Sequence, residues 1–181
     1  MRQEQAGFRK GKSCVDQIFA LPQILEQSAE WNTPVYVGFI DFEKAFDSLH
    51  RDSLYKIMRA YNIPSKLVNI TKLLYKDFCS AVVCDNNQMS EFFPINTGVK
   101  HGCILSPFLF IMAIDWLMST TTKDKRRGIR WTLTQRLEDL DFADDLGLLS
   151  SRLKDIQEKC TDLDRNPSKK PQDNESENNI Q

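Results

Sequence analysis

The sequence predicts a single domain of the α/β (α+β) class, and three observations support this prediction. A run rich in Val, Tyr, Phe and Ile follows Pro34 and ends near Asp41, as expected of a buried strand. Residues 137–151 have the pattern of a strand, a tight turn and a second strand. Elsewhere apolar residues return at helical spacing, and 41% of the 181 residues are hydrophobic, which is enough for one core.

The first helix is predicted over residues 13–30, where Ser13 serves as N-cap, Asp16 completes an approximate capping box and Pro22 introduces a kink. The other predicted elements are helices near 50–61 and 64–76, a hairpin over 78–96 with its turn at 85–87, an apolar helix within 97–120 and a short helix over 152–164. No hydrophobic residue lies between Leu163 and Ile180, so 166–181 is predicted to be a disordered tail.

Composition excludes several classes of protein. The net charge of −1 shows no overall basic bias toward nucleic acid, although 1–12 and 123–130 are locally basic. Each basic run fits a solvated surface about as well as a binding site. Five cysteines without CxxC spacing, and no signal peptide, indicate reduced thiols in an intracellular protein. Two histidines argue against a His-based zinc site.

The longest apolar run, 104–118, raises the question of a membrane helix. It contains Pro107 and Asp115 and falls short of the roughly 18 apolar residues that a span needs. We therefore expect a buried helix and no membrane partner.

Three acids carry the first hypothesis about chemistry. Asp41 ends one predicted strand, and Asp144 and Asp145 lie at the tip of the predicted hairpin. If one sheet unites them, their like charges raise each other's pKa and call for a counter-charge. Oxygen ligands favour Mg²⁺ or Mn²⁺, and two such ions support nucleotidyl transfer. The alternative is a solvated turn, although the apolar flanks draw these acids toward the body of the protein.

Four segments, in order, resemble the reverse transcriptase domain of non-LTR retrotransposons. "EQAGFRKGKSCVDQI" (4–18) is similar to the fingers segment, and "FIDFEKAFDSL" (39–49) to the first palm motif. "TGVKHGCILSPFLF" (97–110) is similar to the second palm motif, and "FADD" (142–145) to the third. The resemblance runs from residue 3 to about 165.

The resemblance implies a right-hand polymerase palm over 34–165, with an antiparallel sheet backed by helices, and partial fingers over 1–33. No thumb is recognisable. It implies two Mg²⁺ (or Mn²⁺) ions as cofactors, with an RNA template, a DNA primer and a deoxynucleoside triphosphate as partners. Such a retrotransposon product would act in the nucleus and cytoplasm, and its oligomeric state stays unknown.

The resemblance also assigns roles to residues. Asp41 and Asp144 would bridge the metals, with Asp145 as an accessory acid. The remaining assignments are Phe42, Phe46, Arg9, His101 and Gly102 for the nucleotide, and Gly98 and Phe142 for template or primer. Phe46 falls at the position of a steric gate against a ribose 2′-OH. The structural alternatives are a core aromatic for Phe46, an exposed side chain for Arg9 and hairpin core for Phe142.

Departures from the family pattern leave activity open. His101 replaces the usual Gln of the second motif, and Ile104 its usual Pro. We hypothesise that the tail 166–181 arises from a frameshift, because freely chosen codons in another frame resemble the next family segment. Without a thumb, we expect the chain alone not to polymerise. The alternatives are a degenerate, non-catalytic retrotransposon fragment and a nucleic-acid-binding module.

Overall fold

The structure is a computed structural model of the chain and describes residues 1–84, 88–122, 126–132 and 134–165. The elements within these ranges are, in chain order, α1 (Cys14–Glu30), β1 (Tyr36–Ile40), α2 (Ala45–Ser48), α3 (Arg51–Ala60), α4 (Ser65–Tyr75), β2 (Cys79–Ser80), β3 (Phe93–Pro94), α5 (Leu105–Thr122), β4 (Ile129–Arg130), β5 (Arg136–Leu137), β6 (Asp139–Phe142), β7 (Asp145–Ser150) and α6 (Leu153–Arg165). The mixed α/β composition confirms the predicted class.

A three-stranded antiparallel sheet lies at the centre of the fold, in the order β1–β7–β6. Ile40 of β1 lies opposite Leu146 of β7, and Phe142 of β6 lies opposite Asp145 at the start of β7. The strand ending near Asp41 and the strand–turn–strand pattern are therefore confirmed. The pairing of β1 with β7 joins two segments that are distant in the sequence.

Helices α5 and α6 cover one face of this sheet. Leu146 and Leu148 of β7 are almost fully buried and pack with Ile114 and Met118 of α5 and with Ile156 of α6. Since side chains alternate across a strand, the neighbouring β7 residues face the other side. Burial of each large side chain contributes about 1.5 to 3 kcal/mol, so this layer fixes the position of β7.

The other face of the sheet is covered at one end only. Ile24 of α1 packs there with Leu149 and Ile129. Toward the opposite end Phe39 is 76% exposed. The uncovered part of this face therefore adjoins the end of β1, next to Asp41.

The apolar helix α5 is 18 residues long, longer than the apolar run that the sequence analysis judged too short for a membrane. By length and composition it could cross a membrane, and 56% of it is buried inside the fold, as in a core helix. Pro107 lies in its first turn, where a missing N–H is tolerated. The predicted buried helix is confirmed.

Most of the other predicted elements are present. The Ser13 N–H donates to Asp16 Oδ2 at 2.8 Å, and Pro22 lies inside α1. Strands β2 and β3 confirm the hairpin, whose predicted turn at 85–87 lies outside the described residues, as does the tail 166–181. Strands β4 and β5 were not predicted, because two residues each are too few to show a pattern.

All five cysteines lie in the described part of the chain, and each is a free thiol. The basic run 123–130 is described from residue 126 onward. Arg127 forms ion pairs with Glu158 and Asp162 of α6 at 3.0 Å each, so this part of the run binds the protein itself.

Candidate active site

The three predicted acids adjoin at one end of the central sheet. Asp41 directly follows Ile40, and Asp145 directly precedes Leu146, the partner of Ile40 in the β1–β7 register. Continuing the register by one step places the backbones of Asp41 and Asp145 side by side. Asp144 lies in the two-residue loop that joins β6 to β7. The structure therefore brings together the residues that the sequence separates.

These carboxylates face solvent to different degrees. Asp41 and Asp145 are exposed, and Asp144 is half-buried. Their oxygen atoms are the donors that Mg²⁺ and Mn²⁺ prefer. In the part of the chain that the structure describes, however, no three His, Cys, Asp or Glu side chains form a group ready to hold a metal ion. This end of the sheet thus supplies suitable oxygen donors, but among the described residues they are not gathered into a three-ligand group.

Phe46 has the structural role that the sequence analysis gave as its alternative, because it packs between two core clusters. Its half-buried ring stacks on Phe110 with centroids 4.7 Å apart and lies 5.7 Å from the ring of His101. Phe42 is also half-buried and packs against the cluster beneath the sheet. Phe46 is therefore packed against both clusters but is not fully buried.

His101 is linked to the segment that carries Phe46. Its Nε2 lies 2.9 Å from Asp47 Oδ1, and both side chains are exposed. Gly98, with φ of +76°, packs so closely that a Cβ would lie 2.7 Å from the Cα of Asp47. Gly98 therefore approaches protein backbone, whereas the space around Gly102, also at positive φ, is open.

Arg9 binds the protein's own main chain. One guanidinium nitrogen donates to the carbonyls of Arg2 and Gln5, at 2.6 and 2.9 Å. Arg9 is half-buried, whereas the structural alternative given for it was an exposed side chain. Phe142 is half-buried at the end of β6.

A second, buried group of acids was not predicted. Asp139 and Asp141 of β6 are 0% exposed, and Arg2 inserts its guanidinium between them. Arg2 Nη1 donates to Asp139 at 2.6 Å, Nη2 donates to Asp141, and the Arg2 backbone N–H donates to Asp115 at 2.7 Å. The half-buried Arg2 therefore pairs with acids of the protein itself, which is neither of the two alternatives, solvated surface or binding site, that the sequence left open for the basic run 1–12.

The electrostatics of this group follow from its burial. Desolvation raises the pKa of Asp139, and desolvation together with the charge of Asp139 raises that of Asp141 to about 8, while Arg2 lowers both. One oxygen of each carboxylate has no hydrogen-bond partner among the described residues. The sequence held one signal, the alternation of Asp139 and Asp141 with apolar residues, which places both acids on the same face of a strand; that this face is buried was not evident from the pattern.

Tyr61 also contributes to this group, and its removal should destabilise the fold. Its hydroxyl donates to the carboxylate of Asp115, which is 1% exposed, and burial with this bond raises the pKa of the phenol. Tyr61→Phe is expected to lower the free energy of unfolding by about 1.5 kcal/mol, measured by urea denaturation. Tyr36→Phe, at an exposed position, should change it by less than about 0.5 kcal/mol. Equal effects of the two variants would contradict the role of the bond.

The residues and their order define the class of this protein. The chain belongs to the reverse transcriptase (RNA-dependent DNA polymerase) family, whose pattern matches residues 1–170. This confirms the resemblance found in the sequence.

The relatives are retrotransposon proteins. The chain is 31% identical over 153 residues to the Retrovirus-related Pol polyprotein from type-2 retrotransposable element R2DM of Drosophila melanogaster, a match covering 84% of this chain and 14% of that protein. It is 32% identical over 117 residues to the Pol polyprotein from type-1 retrotransposable element R2 of Popillia japonica, covering 65% and 19%. The chain thus spans less than a fifth of the length of either relative.

A solved structure shares the fold. Apo telomerase from Candida tropicalis, truncated from its C-terminal domain, superposes with a TM-score of 0.59 at 14% identity. The match covers 88% of this chain and 32% of the telomerase chain. The mixed α/β fold of the chain is therefore consistent with that of reverse-transcriptase-like polymerases.

Proposed function

We propose that this chain carries the palm and metal-binding centre of an RNA-directed DNA polymerase encoded by a non-LTR retrotransposon. In this proposal 34–165 form the palm and 1–33 part of the fingers. The observation that carries it is the pairing of β1 with β7, which places Asp41 beside Asp145 and the hairpin loop. Because the chain belongs to the reverse transcriptase family, we interpret these neighbouring acids as the metal ligands of a polymerase.

The acids at the sheet edge supply the metal ligands in this proposal. Asp41, Asp144 and Asp145 would hold two Mg²⁺ (or Mn²⁺) ions, which when bound activate an attacking oxygen and stabilise a leaving one. The backbone at Phe42 would approach the triphosphate. Phe46, held by Phe110, would present its accessible edge to the sugar and disfavour a ribose 2′-OH.

The uncovered face of the sheet supplies the surface for nucleic acid. Phe39 is exposed there, and Phe142 lies at the hairpin end. Flat aromatic rings accept bases and sugars without sequence preference, as an RNA template and a DNA primer require. In the same proposal Arg9, His101 and Gly102 would contact the incoming nucleotide, and Gly98 would contact the template or primer.

A second candidate is a nucleic-acid-binding module without catalysis. Two observations favour it: the described residues contain no closed three-ligand group, and His101 occupies the position of the family's Gln. Primer extension and gel-shift assays on one RNA template separate the two candidates. Extension that Asp144→Asn abolishes establishes catalysis, whereas a shift without extension supports the binding module.

Metal binding tests the proposed centre whether or not the chain extends a primer. We expect Mn²⁺ to broaden the backbone NMR signals of Asp41, Asp144 and Asp145 first, because the ion is paramagnetic and binds at their carboxylates. Asp144→Asn should weaken the Mn²⁺ affinity at least tenfold, since it replaces a charged carboxylate ligand by a neutral amide. Asp164→Asn, at an exposed position of α6, should leave the affinity unchanged. Unaltered affinity in Asp144→Asn would contradict the proposal.

A further inference from the structure

The loop that carries Asp144 has a demanding backbone conformation. Only Ala143 and Asp144 separate β6 from β7, and Ala143 has a φ of +57°. Positive φ suits two-residue hairpin loops but is uncommon for a residue with a side chain. Such a conformation persists when its surroundings hold it in place. The direction of the Asp144 side chain depends on this peptide.

The side chain of Gln5 contacts both backbone polar groups of Ala143. Gln5 Oε1 accepts from the Ala143 N–H at 2.9 Å, and Gln5 Nε2 donates to the Ala143 carbonyl at 3.3 Å. The same Oε1 accepts from the Gly7 N–H at 2.7 Å, so the amide is also held by its own segment of the chain. Gln5 is 0% exposed, which keeps water from replacing these bonds.

The backbone around Gln5 is bound to the same hairpin. The Ala6 N–H donates to the Asp141 carbonyl at 2.9 Å, and Gln5 forms a parallel bridge with Asp141. The Gln5 side chain therefore approaches the loop from a segment that is already anchored to β6. An amide offers a donor and an acceptor side by side without any change of protonation, as the two groups of Ala143 require.

We propose that Gln5 is a positioning residue for the metal-binding acids, acting through Ala143. By fixing the peptide groups before Asp144, its amide sets the directions in which Asp144 and Asp145 present their carboxylates. The inference rests on the proposed function of these acids as metal ligands. It adds a residue of the 4–18 segment to the metal site, although that segment lies far from the acids in sequence.

The experiment compares Gln5→Met with a matched variant in the intact chain. Methionine keeps the length of the side chain and removes both hydrogen-bonding groups. Thr71→Val is the control, because Thr71 is also buried and donates to a backbone carbonyl, that of Leu67 on α4. Two quantities are measured: hydrogen exchange of the Ala143 N–H, and the dissociation constant of Mn²⁺ from the acids.

In Gln5→Met we expect the Ala143 N–H to exchange at least tenfold faster, while the Leu149 N–H, bonded to the Glu138 carbonyl, keeps its rate. The Mn²⁺ dissociation constant should rise by about tenfold, as when the support of a metal ligand is lost. Thr71→Val should lower stability and change neither quantity. The exchange of Ala143 is the readout that a general loss of stability does not reproduce selectively.

Two outcomes overturn the inference while the proposed function stands. One is unchanged exchange of Ala143 in Gln5→Met, and the other is faster exchange with an unchanged Mn²⁺ dissociation constant. If the parent chain binds no Mn²⁺ at these acids, the proposed function fails, and the positioning role fails with it. The parent chain thus tests the metal site, and the variant tests the role of Gln5.

Discussion

Replacing Arg2 by methionine is expected to lower the free energy of unfolding at pH 9 by about 3 to 5 kcal/mol. Arg2 is the cation between two carboxylates that are 0% exposed, those of Asp139 and Asp141. Methionine preserves much of the aliphatic stem and leaves the buried charges without their partner. Urea denaturation measures the change.

The effect of Arg2→Met should depend on pH. Asp141 has its pKa raised to about 8, above the ordinary value of about 4. An acid with a higher pKa in the folded state takes up protons on folding, so its contribution to stability falls as pH rises through this window. Without Arg2, which lowers the pKa of both acids, ionisation costs more. The loss of stability should therefore be smaller at pH 5 than at pH 9.

Arg152→Met is the control for this prediction. The Arg152 side chain is 76% exposed, and its ion pair with Asp155 at 2.9 Å spans one helical turn. Such a surface pair contributes at most about 1 kcal/mol and should show little pH dependence between 5 and 9. A similar loss in the two variants would show that the buried group does not depend on Arg2.

The second large effect is expected from Gly7→Ala. A Cβ at Gly7 would lie 2.3 Å from the backbone nitrogen of Ala143 and 2.7 Å from the Cα of Ala143. The segment of residues 5–7 would therefore have to move away from the hairpin. We expect a loss of about 3 kcal/mol in the free energy of unfolding, because backbone on both sides resists displacement. The Mn²⁺ affinity of the acids should fall as well, since the same movement breaks the contacts of Gln5.

Gly38→Ala is the matched control for Gly7→Ala. A Cβ at Gly38 of β1 would meet Ile156 Cγ1 at 3.5 Å, an ordinary van der Waals contact. We expect a change within about 0.5 kcal/mol and an unaltered Mn²⁺ affinity. If Gly7→Ala changed stability and Mn²⁺ affinity no more than this control, the close packing of Gly7 against the Ala143 backbone would not be required for either.

Local patterns in the sequence predicted much of the fold. Periodicity and capping residues act over a few positions, and they located α1 from Ser13 and the strand that ends near Asp41. Apolar flanks predicted the hairpin that carries Asp144. The two-residue strands β4 and β5 escaped prediction because so short a segment holds no pattern. The family resemblance, confirmed by comparison, gave the acids a chemical hypothesis that spacing alone left open.

The sequence by itself determined the family, the main helices and strands, and the three acids to consider. Only the tertiary structure decided that β1 pairs with β7, that Gln5 reaches Ala143, and that the Arg2 guanidinium lies between the buried acids Asp139 and Asp141. The physical reason is that periodicity and propensity act between neighbours in the chain. The choice of a distant partner depends on packing and on the compensation of buried charge, which no local pattern encodes.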